Sequence, residues 1–178
     1  MRKWPWSSNV QDMHEHFSVL TNACLLCFLH MLDDVRLQLQ CVGPSMLPTF
    51  NVTGDVVLYE RMTHRISGVS KGDVVLATSP QKASQTVCKR VIALAGERVR
   101  VGSSDAHQWY RGDRWITVPK GHLWLEGDNK RNSTDSRAYG PVPEALVTGR
   151  VFLKAWPPRE AGLVGREPPA RALRGGWR

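Results

Sequence analysis

The sequence lacks the cysteine and histidine spacing that holds a metal ion. Its four cysteines include one C-x-x-C pair, Cys24 and Cys27, but this pair lies inside an apolar run, and Cys41 and Cys88 are far apart. Paired ligands at short spacing would be needed for a zinc site. We therefore expect buried thiols, no metal site and no cofactor.

Signatures of nucleic-acid binding are also missing. The formal net charge is +8, but no basic helix, aromatic RNA-binding motif or zinc-finger spacing accompanies it, so we expect no nucleic-acid partner. Part of the excess lies in residues 157–178, a stretch rich in proline and glycine with five arginines and two glutamates. Such a composition predicts a basic, disordered tail.

A long hydrophobic run is absent too. Residues 17–32 are the one sustained apolar segment, and as a helix they would reach roughly 24 Å, short of a hydrocarbon core of about 30 Å. Length alone leaves a membrane anchor and a core helix equally open. Basic residues precede the segment and Asp33 and Asp34 follow it, an asymmetry that would send the rest of the chain across a membrane. Residues 1–16 form a separate N-terminal segment.

After residue 34 the hydrophobic pattern alternates with a period of two. Short apolar runs separated by turn residues recur, and no comparable amphipathic helix lies between them. This pattern predicts an all-β domain of twisted antiparallel sheets over residues 35–156. The predicted strands are residues 35–41, 55–59, 73–77, 87–94, 115–118, 123–126 and 147–154, with a surface loop or hairpin at 102–114.

The stretch CVGPSMLPTF presents Ser45 in a turn, after Gly43 and Pro44 and before apolar Met46. A serine hydroxyl is a weak nucleophile unless a neighbouring group removes its proton. No histidine lies within ten residues of Ser45, and no histidine elsewhere comes with an evident carboxylate partner. The sequence therefore disfavours a Ser-His-Asp triad.

Lys89, in the stretch VCKRVIAL, is the alternative base. The period of a strand places Val87 and Val91 on the same face as Lys89. At its ordinary pKa of about 10.4, a lysine is neutral in about one molecule in a thousand near pH 7.4, but desolvation lowers that pKa. Taken alone, the pattern favours a lysine that extends to solvent from an edge strand.

A third stretch, GDNKRNSTDSRAYGPVP at residues 127–143, is dense in short hydrogen-bonding side chains. A loop of this kind can satisfy its own backbone, with Asp135 and Arg137 as an internal ion pair. One of its hydroxyls could also accept a hydrogen bond from a neutral lysine without charging it. The residues alone leave both interpretations open.

Together, the motifs GPSMLPT, KGDVVLA, CKRVIALAGE, GHLWLEGDN and NSTDSRAYGPVP resemble the type I signal peptidase family of Ser/Lys proteases. They occur in order across residues 35–156 and are most similar to the mitochondrial inner membrane type, subunit 1. The resemblance implies an N-terminal helical anchor and an all-β catalytic domain that removes signal or sorting peptides. It implies that Ser45 is the nucleophile and Lys89 the general base, that Ser133 orients the lysine, and that Asp135 and Arg137 form a supporting salt bridge.

The resemblance also implies a setting for this site. Gly43, Pro44 and Met46 would form the substrate and oxyanion region, and Gly43 replaces a serine that supplies an oxyanion donor in many bacterial members. The implied location is the mitochondrial inner membrane, with the catalytic domain facing the intermembrane space. The implied partners are precursor proteins, the membrane and a homologous subunit in a heterodimer. Alternatives are a bacterial- or thylakoid-type signal peptidase I and a catalytically silent subunit that binds a partner.

Overall fold

The computed structural model describes residues 35–61, 68–101 and 114–167. The described residues form ten short strands, one four-residue helix, α1 (Ser136–Tyr139), and single 3-10 turns. The 3-10 turns are Pro44–Met46, Lys130–Asn132, Glu144–Leu146 and Pro158–Glu160. The strands are β1 (Val35–Cys41), β2 (Asp55–Glu60), β3 (Val74–Thr78), β4 (Thr86–Ala93), β5 (Arg98–Val101), β6 (Arg114–Thr117), β7 (His122–Glu126), β8 (Val142–Pro143), β9 (Val147–Trp156) and β10 (Gly162–Leu163).

The main sheet has the order β1-β2-β9-β3-β4-β7-β8, with β10 also paired to β9, while β5 and β6 pair with each other. The registered pairs are antiparallel. This confirms the predicted β class. The predicted anchor, residues 17–32, lies outside the described residues, as do residues 1–16. In the part of the chain that the structure describes, no helix is both long and apolar enough to cross a membrane.

Strand β3 separates two apolar clusters. Val75 and Ala77 pack into one cluster with Val91 and Leu125, and the alternate residues Val74 and Leu76 pack into a second cluster. The second cluster also contains Met46, Phe50, Val57 and Val151. Because successive side chains of a strand point to opposite faces, β3 is covered on both sides. Burying each such side chain contributes about 1.5–3 kcal/mol, which fixes β3 and its neighbour β4 in the centre of the sheet.

The tail predicted to be disordered from residue 157 is ordered over its first part. The 3-10 turn Pro158–Glu160 leads into β10, which pairs with β9. Val164 then donates a backbone hydrogen bond to the Phe152 carbonyl at 2.8 Å, and its side chain packs on the cluster that contains Met46. Backbone pairing with β9 and the packing of Val164 thus hold this segment, while the Leu163 side chain is exposed. Residues 168–178 lie outside the described part.

Candidate active site

Ser45 lies in the 3-10 turn Pro44–Met46, between two residues that are held in place. Gly43, before the turn, has a φ of 119°, a conformation that favours glycine, and its N–H donates to the Val52 carbonyl at 2.7 Å. Met46, after Ser45, is buried in the core cluster. Ser45 itself is only partly buried. The backbone turn is therefore held by its neighbours while the serine stays accessible.

Lys89 is a buried lysine in the middle of β4, with 4% of its surface exposed. It pairs in register with Val75 of β3, and cross-strand partners share a face of the sheet. Val75 and Val91 of that face are both fully buried. Burial lowers the pKa of the Lys89 amine below its ordinary value, although the negative charge of Asp135 acts in the opposite direction. The sequence favoured an edge strand at this position, and the structure instead places β4 between β3 and β7.

Lys89 lies where strand β7 ends. The β4–β7 pairing runs from Ala93 to the pair Arg90–Glu126, and the chain then turns away at Gly127. The turn Pro44–Met46 contacts β4 and also contacts the turn Lys130–Asn132 that follows β7. Three segments that are far apart in sequence therefore contact one another: the Ser45 turn, strand β4, which contains Lys89, and the loop after β7.

The loop after β7 binds the Ser45 turn through its backbone. The N–H of Asn129 donates to the Ser45 carbonyl at 2.9 Å, and the Asn129 side chain donates to the Pro44 carbonyl at 3.0 Å. Gly127 lies in closer contact still: a Cβ at this position would be 2.3 Å from Ser133 Oγ and 2.4 Å from the Ser45 carbonyl oxygen. Only a glycine allows Ser133 to approach Ser45 this closely.

Asp135 and Arg137 form a buried bidentate pair, with Nε–Oδ1 and Nη2–Oδ2 distances of 2.8 Å. Asp135 also caps α1 through the N–H of Arg137 and accepts a hydrogen bond from the Gly127 N–H at 3.0 Å. Burial raises the pKa of Asp135, but the hydrogen bonds and charge of Arg137 outweigh this effect, so the net pKa is below its ordinary value. An ionised Asp135 therefore fixes Gly127 and the start of α1 together.

The hydroxyl of Ser133 is buried against this carboxylate. Ser133 Oγ is close enough to Asp135 to help lower the pKa of that carboxyl, but no group in the described part of the chain, Asp135 included, meets full hydrogen-bond geometry with it. A buried hydroxyl without a partner costs about 1–3 kcal/mol. Ser133 is thus available to accept a hydrogen bond from an amine that enters this space.

A second buried ion pair, Arg90 with Asp128, was not predicted. Arg90 donates to both carboxylate oxygens of Asp128 at 2.8 Å, and Thr49, four residues after Ser45, donates its hydroxyl to the same carboxylate. Both charged side chains are almost fully buried. The signal that could have revealed this pair is the position of Arg90 inside a predicted strand. If both faces of that strand are covered, a charged side chain there needs a partner of opposite charge.

Three of the predicted site residues, Ser133, Asp135 and Arg137, lie in the loop that is hydrogen-bonded to the Ser45 turn. Lys89 lies close enough to Asp135 and Arg137 for their charges to affect its pKa. Gly43 and Pro44 lie beside Ser45, but their backbone groups are engaged: the Gly43 N–H with Val52, and the Pro44 carbonyl with Asn129. Met46 is 3% exposed and belongs to the core. The Met46 side chain packs into the core beneath the turn and supports it.

The sequence matches the protein family described as "Signal peptidase, peptidase S26" over residues 13–110 and 102–156. The chain belongs to the signal peptidase family. Its match includes the Ser45 turn, β4 and the loop after β7, so the three segments that meet in the fold all lie within the matched residues. This confirms the family resemblance drawn from the motifs.

Several relatives of this signal peptidase family member are named as subunits of a mitochondrial inner membrane protease. It is 41% identical over 162 residues to mitochondrial ATP-independent inner membrane protease subunit 1a of Arabidopsis thaliana, covering 89% of this chain and 93% of the relative. It is 47% identical over 131 residues to mitochondrial inner membrane protease subunit 1 of Xenopus tropicalis, covering 74% and 75%. With the human subunit 1 the identity is 42% over 128 residues, covering 72% and 74%.

Proposed function

We propose that this chain is a membrane-anchored serine endopeptidase that uses Ser45 as nucleophile and Lys89 as general base. The observation that carries the proposal is the burial of Lys89 among valines in β4, the strand that the Ser45 turn contacts. Desolvation favours the neutral amine, which is the form that can accept a proton. A buried lysine far from any presented hydroxyl would have no such use.

The reaction that fits these groups is acyl transfer in two steps. Lys89 takes the proton of Ser45 as its oxygen attacks the peptide carbonyl, and returns that proton to the leaving amine as the peptide bond breaks. Lys89 then removes a proton from water as the water attacks the acyl-enzyme, and gives that proton to the Ser45 oxygen as the ester bond breaks and the new carboxyl end is released. Each step leaves Lys89 neutral again, so the cycle needs no metal or cofactor.

Ser133 orients the lysine in this proposal. Its buried hydroxyl is available to accept a hydrogen bond from the Lys89 amine during the reaction, and accepting one places no negative charge beside that amine. The Asp135–Arg137 pair fixes the loop from which Ser133 extends. These roles are supported by the burial of all three side chains and by the close contact of Ser133 with Gly127.

The oxyanion is stabilised by backbone donors. The N–H of Ser45 is in the first turn of a 3-10 helix, where N–H groups have no partner within the helix, and it is the first donor in this proposal. The Gly43 N–H is not available because it binds Val52. A second oxyanion donor therefore has to be a group other than the Gly43 N–H.

The cellular role is inferred from the relatives. Their names describe inner membrane protease subunits of mitochondria, and a relative named subunit 2 from Danio rerio is 39% identical to this chain. We infer that the chain acts in the mitochondrial inner membrane with its catalytic domain in the intermembrane space. It removes sorting peptides from precursor proteins there and pairs with a homologous subunit.

Cleavage of a precursor-derived peptide with a small residue before the cut tests the proposal. The full-length chain in detergent micelles should cleave it, and Ser45→Ala and Lys89→Met should each lower kcat by at least about a thousandfold. Lys71→Met, at an exposed lysine, is the matched control and should retain full activity. Equal turnover by all four proteins would overturn the proposal and favour a non-catalytic subunit.

A further inference from the structure

Residues 161–167, here called the C-terminal strap, lie beyond the residues that match the signal peptidase family. The strap folds back along β9, with Gly162 opposite Lys154 and Leu163 opposite Leu153. Strand β3 pairs with β9 only as far as Val151. The strap thus runs along β9 beyond the β3 pairing and leads towards β4.

The strap ends on the buried guanidinium of Arg90. Nη1 of Arg90 donates to the Gly165 carbonyl at 2.8 Å and to the Arg166 carbonyl at 3.2 Å, as well as to the Gly72 carbonyl at 2.7 Å. Arg90 is 1% exposed. Since an arginine is always charged, each donor that loses its acceptor in such a site carries a desolvation cost.

Two further contacts hold the strap in place. Arg166 Nε donates to Asp73 Oδ1 at 2.8 Å. A Cβ on Gly72 would lie 2.4 Å from the Arg166 carbonyl oxygen, so the strap backbone is in direct contact with the turn that precedes β3. The strap is therefore packed against the sheet at the level of Arg90.

Arg90 connects the strap to the candidate nucleophile. The other guanidinium nitrogens of Arg90 bind Asp128, and Asp128 accepts the hydroxyl of Thr49 on one side of the Ser45 turn. The next residue, Asn129, binds the carbonyls of Ser45 and Pro44. A displacement of Arg90 would therefore be transmitted to both ends of the turn.

We propose that the C-terminal strap is a positioning element of the protease: its carbonyls hold the Arg90–Asp128 pair in the geometry that fixes the Ser45 turn. This inference rests on the proposed serine protease function. The strap touches no reacting atom. Its effect is on the rate at which a bound substrate acylates Ser45.

Two truncations test the strap, and they differ only in residues 161–167. A chain that ends at Glu167 keeps the strap and should retain the kcat of the full chain. A chain that ends at Glu160 loses it, and its kcat per active site should fall by about tenfold or more, with KM changed less than about twofold, because small misplacements of a reacting group are costly. Active sites are counted by titration with a serine-directed acylating probe, so partial unfolding does not imitate the effect.

Equal kcat per titrated site in the two truncations would overturn the inference. Should the shorter chain not fold, Arg166→Ala decides: it should lower kcat at least threefold at a temperature well below its melting point, while Arg159→Ala, at an exposed arginine of the neighbouring 3-10 turn, should not. Equal kcat for these two variants would also overturn it.

Ser45→Ala in the same assay separates the two proposals. If Ser45→Ala cleaves as well as the full chain, the serine protease function itself fails. If Ser45→Ala is inactive and the strap variants are fully active, only the positioning role fails.

Discussion

The backbone N–H of Asn129 donates to the carbonyl oxygen of Ser45 at 2.9 Å. Together with the hydrogen bond from the Asn129 side chain to the Pro44 carbonyl, this bond joins the turn that presents the serine to the loop that contains Ser133 and Asp135. The Ser45 turn and the loop around Asp135 are therefore positioned as one hydrogen-bonded unit, and substitutions that separate the turn from the loop should lower the rate of the reaction.

The rate of cleavage should depend on pH through Lys89. Burial lowers the pKa of this amine, and only its neutral form is a base, so kcat/KM should rise with pH and level off with a midpoint below about 10.4. The pH profile of Lys71→Met should be the same as that of the wild type. A rate that keeps rising through pH 10.4 with the slope of one ionisation would contradict the lowered pKa.

Replacing Lys89 by methionine should stabilise the fold at neutral pH while it abolishes activity. Because the pKa of Lys89 is lower in the folded chain than in the unfolded one, the folded chain binds fewer protons, and wild-type stability rises with pH from the folded-state pKa up to about 10.4. Lys89→Met removes this penalty. Its Tm at pH 7 should be higher by at least about 2 °C, since one kcal/mol shifts Tm by roughly 2–4 °C in a chain of this size.

The stabilisation by Lys89→Met should shrink as the pH approaches the pKa of an ordinary lysine, about 10.4. Calorimetric scans at a series of pH values provide the measurement, with Lys71→Met as the reference. A lower Tm than wild type at pH 7 would mean that the buried amine is charged and well paired, contrary to this account.

Gly127→Ala should disable the site with little loss of fold. The added methyl would meet Ser133 Oγ at 2.3 Å and the Ser45 carbonyl at 2.4 Å, so the turn and the loop must separate. A displacement of this kind should lower kcat about a hundredfold. A kcat of Gly127→Ala equal to that of the wild type would refute the close contact.

Arg137→Met should be the most destabilising single change of this set. It leaves the Asp135 carboxylate buried without its guanidinium, and breaking a buried pair from one side costs about 3–5 kcal/mol. Urea unfolding measures the loss. Arg131→Met, at an exposed arginine of the neighbouring 3-10 turn, should change the free energy of unfolding by less than about 0.5 kcal/mol; similar losses in both variants would argue against a special role for the pair.

The main strands could be predicted from the sequence because each combines alternation with a turn residue at its end. Strand β5 was missed, although Arg98–Val101 alternates, because four residues with two charges are too short a signal. Its stability comes from non-local pairing, with Val99 opposite Ile116 and the Arg98 guanidinium 5.3 Å from the Trp115 ring centroid. Strands β8 and β10, with two residues each, depend in the same way on the strand beside them.

The residue types of the site could be predicted, but not the surroundings that give them their chemistry. The pattern around Lys89 was compatible with an exposed edge strand, and its burial follows from the positions of β3 and β7, which no local pattern determines. The Arg90–Asp128 pair joins residues 38 positions apart. The strap that completes the shell around Arg90 comes from a segment whose composition predicted disorder.

The proposed mechanism requires that the Lys89 amine lose its charge at a pH where an ordinary lysine keeps it. The most direct measurement is an NMR titration of the full-length chain labelled at lysine side chains, with the Lys89 resonance assigned by its absence in Lys89→Met. We predict that Lys89 titrates below about 10.4 and at the midpoint of the kcat/KM profile. A Lys89 resonance that titrates together with the exposed lysines would contradict the account.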